Sequence, residues 1–134
     1  MQIRNVDHIG IAVKSIDEAL KFWEETLGVK CHGVEEVAGM KVKTAFLPID
    51  DTKFELLEAT APNSPIAKFI EKNGEGIQHV AIRVPDIEAA LAELKAKGIR
   101  LIDQKPRRGA DGVMIAFVHP KASGGVLLEL CQCD

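Results

Sequence analysis

Two stretches of this chain carry nearly the same message. Val6-Asp-His-Ile-Gly-Ile-Ala-Val13 returns at an offset of 71 residues as Ile77-Gln-His-Val-Ala-Ile-Arg-Val84. The same offset pairs His8 with His79, Ile16 with Ile87, Ala19 with Ala90 and Leu20 with Leu91. Gly28-Val-Lys30 meets Gly98-Ile-Arg100 at an offset of 70, and Phe54-Glu-Leu56 meets Leu128-Glu-Leu130 at 74, so the elements keep step while the loops differ in length. Apolar runs resemble one another by chance, but shared polar residues at matching strand positions are harder to obtain that way. A duplicated module restricts the fold to arrangements in which one supersecondary unit pairs with its own copy.

Within each copy the periodicity spells β-α-β-β-β. From His8 to Val13 the residues alternate, with Ile9, Ile11 and Val13 on one face and His8, Gly10 and Ala12 on the other. Ser15-Ile-Asp-Glu18 is a capping box, and Ile16, Ala19, Leu20, Trp23 and Leu27 then share a helical stripe that Gly28 ends. Phe22 lies beside that stripe and is expected in the core. Strands are expected over Val37 to Pro48 and Thr52 to Glu58, with a less defined one near Cys31 to Val37. Ser64 as cap, Pro65 in the first turn and Gly74 after the end mark a short connecting helix. The second copy repeats the programme: strand Ile77 to Val84, a helix from Asp86 to Lys97, and strands near Ile99 to Asp103, Val113 to His119 and Val126 to Cys131.

The chain's 134 residues, 46% of them hydrophobic, suit one domain built of two modules, at about 4–60 and 75–133, joined by a helical connector at about 61–74. The expected class is α+β: the two modules pair into one cupped mixed sheet with the helices on its convex side. A net charge of −3 without a long block of like charge argues against nucleic-acid or membrane partners. The opening MQIRNVD lacks a cationic, then apolar, leader, and no apolar run reaches the roughly 18 residues of a spanning helix, so a cytoplasmic protein is expected. Cys31, Cys131 and Cys133 are an odd number and read as free thiols; Cys131-Gln-Cys133 lacks companion metal ligands.

The repeat places one His in each first strand and one Glu in each last strand. His8 shares its face with Gly10 and Ala12, and His79 with Ala81, whereas Glu55 and Glu129 are flanked by aliphatics of the opposite, helix-covered face. A buried carboxylate is costly unless paired or bound to metal, and neither strand is expected to supply a Lys or Arg on that face. His8, Glu55, His79 and Glu129 therefore form an expected N2O2 set for one divalent ion. Co2+ is the first expectation, with Mn2+, Ni2+, Zn2+ and Fe2+ as the others, and two coordination positions are left for substrate. His32, Glu35, Glu36 and Glu58 are expected at the surface, and His119 as a side chain that fixes its loop.

These residues resemble the vicinal oxygen chelate superfamily, and within it the methylmalonyl-CoA epimerases. The likeness runs from Asp7-His-Ile-Gly-Ile-Ala-Val13 through Phe54-Glu-Leu-Leu-Glu58, Asn73-Gly-Glu-Gly-Ile-Gln-His79 and Pro106-Arg-Arg-Gly109 to His119-Pro-Lys121 and Gly124-Gly-Val-Leu-Leu-Glu-Leu130. Glyoxalases share the module and the ligand positions. Their Asp-Pro-Asp-Gly type turn is absent here, His119-Pro-Lys121 standing in its place.

The resemblance implies epimerisation of (2R)- and (2S)-methylmalonyl-CoA by α-proton abstraction and reprotonation through a metal-stabilised enolate, in a homodimer. It assigns acid/base work to Glu129. Some epimerases carry a second glutamate on the strand after the first helix, where Gly39 to Thr44 has none. By pseudo-symmetry the second group is expected to be Glu55, with Lys43 the weaker candidate. The CoA phosphates are expected to meet Lys105, Arg107 and Arg108 in a flexible basic loop, with Lys121 in another. The alternatives are a glyoxalase-type lyase acting on a glutathione hemithioacetal, or a metal-free binding protein of the bleomycin-resistance kind.

Overall fold

The computed structural model describes residues 1–132 and is α+β. The chain divides into two compact units, one of His8–Gln78 and one of Met1–Asp7 together with the chain from His79 onward. The first seven residues belong with the second module, and the connecting helix belongs with the first.

In the first unit the strands are β1 (Asn5–Ala12, the unit taking it from His8), β2 (Val34–Val37), β3 (Val42–Ile49) and β4 (Thr52–Ala59), in the order β2-β3-β4-β1. β1 and β4 run parallel and the other pairs antiparallel. Helix α1 (Ile16–Leu20) is capped by Ser15, whose hydroxyl accepts from the Glu18 amide, as the capping box requires. It then widens into a π-helical turn over Lys21–Thr26, closed by Leu27 N–H donating to Phe22 C=O. Two expectations are overturned here. Leu27 and Phe22 are each 53% exposed: i→i+5 winding rotates Leu27 off the stripe that a 3.6-residue period assigns it, and Phe22, beside the stripe, faces solvent rather than the core. Ile16 and Trp23 stay on the stripe, packed with Ala45, Leu47, Phe54 and Leu56. Helix α2 (Pro65–Asn73) buries Ile66 with Phe69 and Ile70 against Ala12, Val42 and Leu57, and so closes one end of the face that also carries His8 and Glu55.

The second unit contains β5 (Gly76–Arg83, from His79), α3 (Ile87–Ala96), β6 (Arg107–Arg108), β7 (Met114–Val118) and β8 (Leu128–Gln132), ordered β5-β8-β7-β6. Asp86 caps α3 by accepting from the Ala89 amide. Ile87, Ala90 and Leu91 then pack on Ala116, Val118 and Leu130. The strand expected at Ile99 to Asp103 does not form. Leu101 makes a single bridge to Val118, and the strand beside β7 is instead the Arg107–Arg108 pair, which the sequence had placed in a loop. The N-terminal residues are tied down within this unit. Arg4 N–H donates to Arg83 C=O, the Arg83 guanidinium donates to Asp7 Oδ1 from Nε (3.2 Å) and an Nη (2.8 Å), and the terminal amine pairs with Glu93.

The duplication extends to how each helix is held. Three residues past the last-strand glutamate, Glu58 accepts from the Ile16 amide in one unit and Gln132 from the Ile87 amide in the other. Glu58, expected at the surface, is therefore a half-buried helix anchor. Both bonds satisfy first-turn amides that have no intrahelical partner. Cys31 is half-buried and Cys131 buried, while Cys133 lies outside the described residues.

Candidate metal and acid–base centre

Each unit presents one His–Glu pair, generated by the same register. In the first, Gly10 lies opposite Glu55 across the parallel ladder, which brings His8, two residues earlier on the same face, to the carboxylate: His8 Nδ1 is 3.3 Å from Glu55 Oε2. In the second, Ala81 lies opposite Glu129, and His79 Nε2 is 3.4 Å from Glu129 Oε1. All four side chains are buried, with residue exposures of 4 to 6%.

The donor set fits a divalent cation. Imidazole nitrogen with carboxylate oxygen is the mixture that intermediate first-row ions accept. An ion bonded to both donors at about 2.1 Å would hold them about 3.0–3.4 Å apart, for octahedral to tetrahedral angles. The two observed separations fall in that interval.

The structure also shows what the sequence reading passed over. Phe46 lies opposite Glu55 and Phe117 opposite Glu129, and both are separated by the same 71 residues as the histidines; Ala-Phe at 45–46 and again at 116–117 was the available signal. The Phe117 ring stands edge-on to His79 with centroids 5.6 Å apart and carries the Arg107 guanidinium 5.5 Å from its centroid. Arg107 is therefore connected to the His79 face through one aromatic ring. Asp103 holds it there, pairing with Arg107 Nε at 3.0 Å and accepting from the Phe117 amide.

The expectation that no cation in these strands reaches the carboxylates fails at Lys53. Two residues before Glu55 on the same strand, its Nζ lies 3.8 Å from Glu55 Oε2. Lys43, in contrast, is 3.7 Å from Glu58, on the α1 side and away from Glu55. Lys105, Arg107, Arg108 and Lys121 are all exposed. Arg108 donates to Gly112 C=O, and His119 Nδ1 accepts from the Lys121 amide, fixing that loop as expected. Burial first, then the charges of Arg100 and Lys121, lower the His119 pKa from its ordinary 6.5. His32 is exposed. Among the described residues, no helix is long and apolar enough to cross a membrane.

Residues 7–117 match the family described as Glyoxalase/Bleomycin resistance protein/Dioxygenase superfamily. The mitochondrial methylmalonyl-CoA epimerase of Homo sapiens is 38% identical over 95% of this chain and 73% of its own length. The ethylmalonyl-CoA/methylmalonyl-CoA epimerase of Cereibacter sphaeroides is 37% identical over 97% and 98%. A solved methylmalonyl-CoA epimerase in complex with methylmalonyl-CoA and NH4+ superposes with a TM-score of 0.94 at 36% identity, covering 98% of this chain and 95% of that one. With a duplicated β-α-β-β-β module, a His–Glu pair at the same register in each copy and this similarity along its length, the chain belongs to the glyoxalase/bleomycin-resistance/dioxygenase superfamily and, within it, to the methylmalonyl-CoA epimerase family.

Proposed function

We propose that this chain is a metal-dependent methylmalonyl-CoA epimerase that interconverts the (2R) and (2S) substrates by removing the α-proton from one side and returning it on the other. The observation that carries the reading is the pair of buried His–carboxylate sets built by one repeated register. The reading requires the two sets to meet, so that His8, Glu55, His79 and Glu129 serve one ion and the two units act as one domain with a joined, cupped sheet. When bound, a divalent ion, with Co2+ first among the candidates, would grip the thioester carbonyl and the free carboxylate and lower the cost of negative charge on the carbonyl oxygen.

The protein's own groups do the rest. Glu129 accepts the α-proton and returns it. Glu55, its counterpart in the other copy, serves the opposite side of the carbon, since inversion needs an acid/base group on each side. Burial of both carboxylates, 5% and 4% exposed, limits the water that would otherwise compete for the proton. Lys105, Arg107, Arg108 and Lys121 meet the phosphates of CoA, with Arg107 preset by Asp103 and Phe117. The active species is a homodimer.

Proton NMR of methylmalonyl-CoA in heavy water tests the reading. Deuterium should enter at the carbon between the two carbonyl groups, with added Co2+ or Mn2+ and not with chelator. Turnover of a glutathione hemithioacetal in its place would identify the lyase, and tight ligand binding without metal or exchange would identify a binding protein.

A further inference from the structure

We propose that Lys53 receives the free carboxylate of the substrate and thereby selects carboxylated thioesters, an inference that rests on the epimerase reading above. Lys53 stands opposite His8 across the β1–β4 ladder. Its Nζ is 3.8 Å from Glu55 Oε2, the same oxygen that lies 3.3 Å from His8 Nδ1. A buried carboxylate demands positive charge nearby, and Lys53 brings one to it.

A divalent ion on His8 and Glu55 takes over that role, and like charge then repels the ammonium from the same oxygen. Lys53 can yield, because its side chain is 26% exposed, against 7% for Glu55, and a four-carbon stem ending in a compact ammonium swings without stranding a buried charge. A malonyl-type substrate brings a carboxylate with two oxygens. Only one of them can join the thioester oxygen in a chelate, and the other needs a donor beside a carboxylate, Glu55, whose side chain is 7% exposed. Lys53 is a donor already on that face, released by the ion whose binding the substrate needs. A thioester that ends in a methyl group, such as propionyl-CoA, makes no use of it.

The test compares wild type, Lys53→Met and Lys53→Arg. In Lys53→Met, KM for methylmalonyl-CoA should rise about tenfold or more, the loss expected for one charge-assisted hydrogen bond, and by more than kcat falls, with Lys53→Arg recovering most of it. Calorimetric Kd for propionyl-CoA should stay within twofold of wild type. Mn2+ measured without substrate should bind Lys53→Met at least as tightly, which also shows that the pair at Glu55 is intact. An unchanged KM, an equal weakening of propionyl-CoA, or weaker Mn2+ binding overturns the assignment. If wild type itself exchanges no α-proton, the failure lies with the epimerase reading, and the calorimetric preference of wild type for methylmalonyl-CoA over propionyl-CoA, lost in Lys53→Met, still decides the role of Lys53.

Discussion

Replacing Arg83 by Met takes a guanidinium away from a carboxylate that is almost fully buried. Asp7 is 3% exposed and receives two Arg83 donors on one oxygen, at 2.8 and 3.2 Å. Breaking a buried pair by removing one partner costs roughly 3–5 kcal/mol. The Arg83 side chain is 32% exposed, and solvent screening brings the expected loss to about 2 kcal/mol. With an unfolding entropy of about 2.1 cal/mol/K per residue, a chain of 134 residues should lose about 7 °C in Tm. Calorimetry or thermal circular dichroism reads this directly. The second arm is Asp7→Asn in the Arg83→Met background, which removes the stranded charge and should return at least half of the loss. A single variant within about 1 °C of wild type, or a double variant no better than the single, would show that the guanidinium is not what makes burial of Asp7 tolerable. Because Asp7 directly precedes His8, the same variant is expected to loosen Mn2+ binding as well.

Three further outcomes are expected. Glu129→Gln should lower α-proton exchange by roughly a hundredfold or more, the usual worth of a general base; Glu55→Gln should do likewise, and near-wild-type exchange with Mn2+ bound would remove Glu55 from proton transfer. An ion at about a hundred times its Kd should stabilise the protein by about 2.7 kcal/mol, near 10 °C here by the same entropy; His79→Ala or EDTA should erase most of that rise in differential scanning calorimetry. The folded pKa of His119 lies below its ordinary 6.5 through burial and the charges of Arg100 and Lys121, so the contribution of its neutral ring is complete above the ordinary value and fades as pH falls through the folded one; ring resonances of His119 titrating at or above 6.5 would contradict this.

Strand side chains alternate with a period of two, so a conserved offset between copies carries face as well as position, and both histidines and both glutamates emerge on the faces assigned to them. The helix caps at Ser15, Ser64 and Asp86 were equally legible, because each is a local side-chain bond to a first-turn amide. Leu27 was not, since the widened turn has no signature in hydrophobic period and counting at 3.6 residues per turn sends it inward; Phe22, beside the stripe, was expected in the core for its aromatic character and is exposed. Ile99 to Asp103 reads as a strand by composition, yet tertiary pairing gives it one bridge and passes the strand role to Arg107–Arg108. Lys53 stands two residues before Glu55, and residues two apart on a strand share a face, so its approach to the carboxylate follows from strand geometry.

The two short strands that end the strand orders, β2 with Glu35 and Glu36 and β6 with Arg107 and Arg108, bear on how copies of the protein can associate. A twofold contact places each edge against itself. Joining β2 to β2 would align four carboxylates, and joining β6 to β6 four guanidinium groups, so mutual repulsion discourages sheet extension through either strand. A symmetric homodimer should accordingly be sought on a surface other than these rims, and crosslinking chemistry aimed at Glu35 or Arg108 should leave its yield untouched.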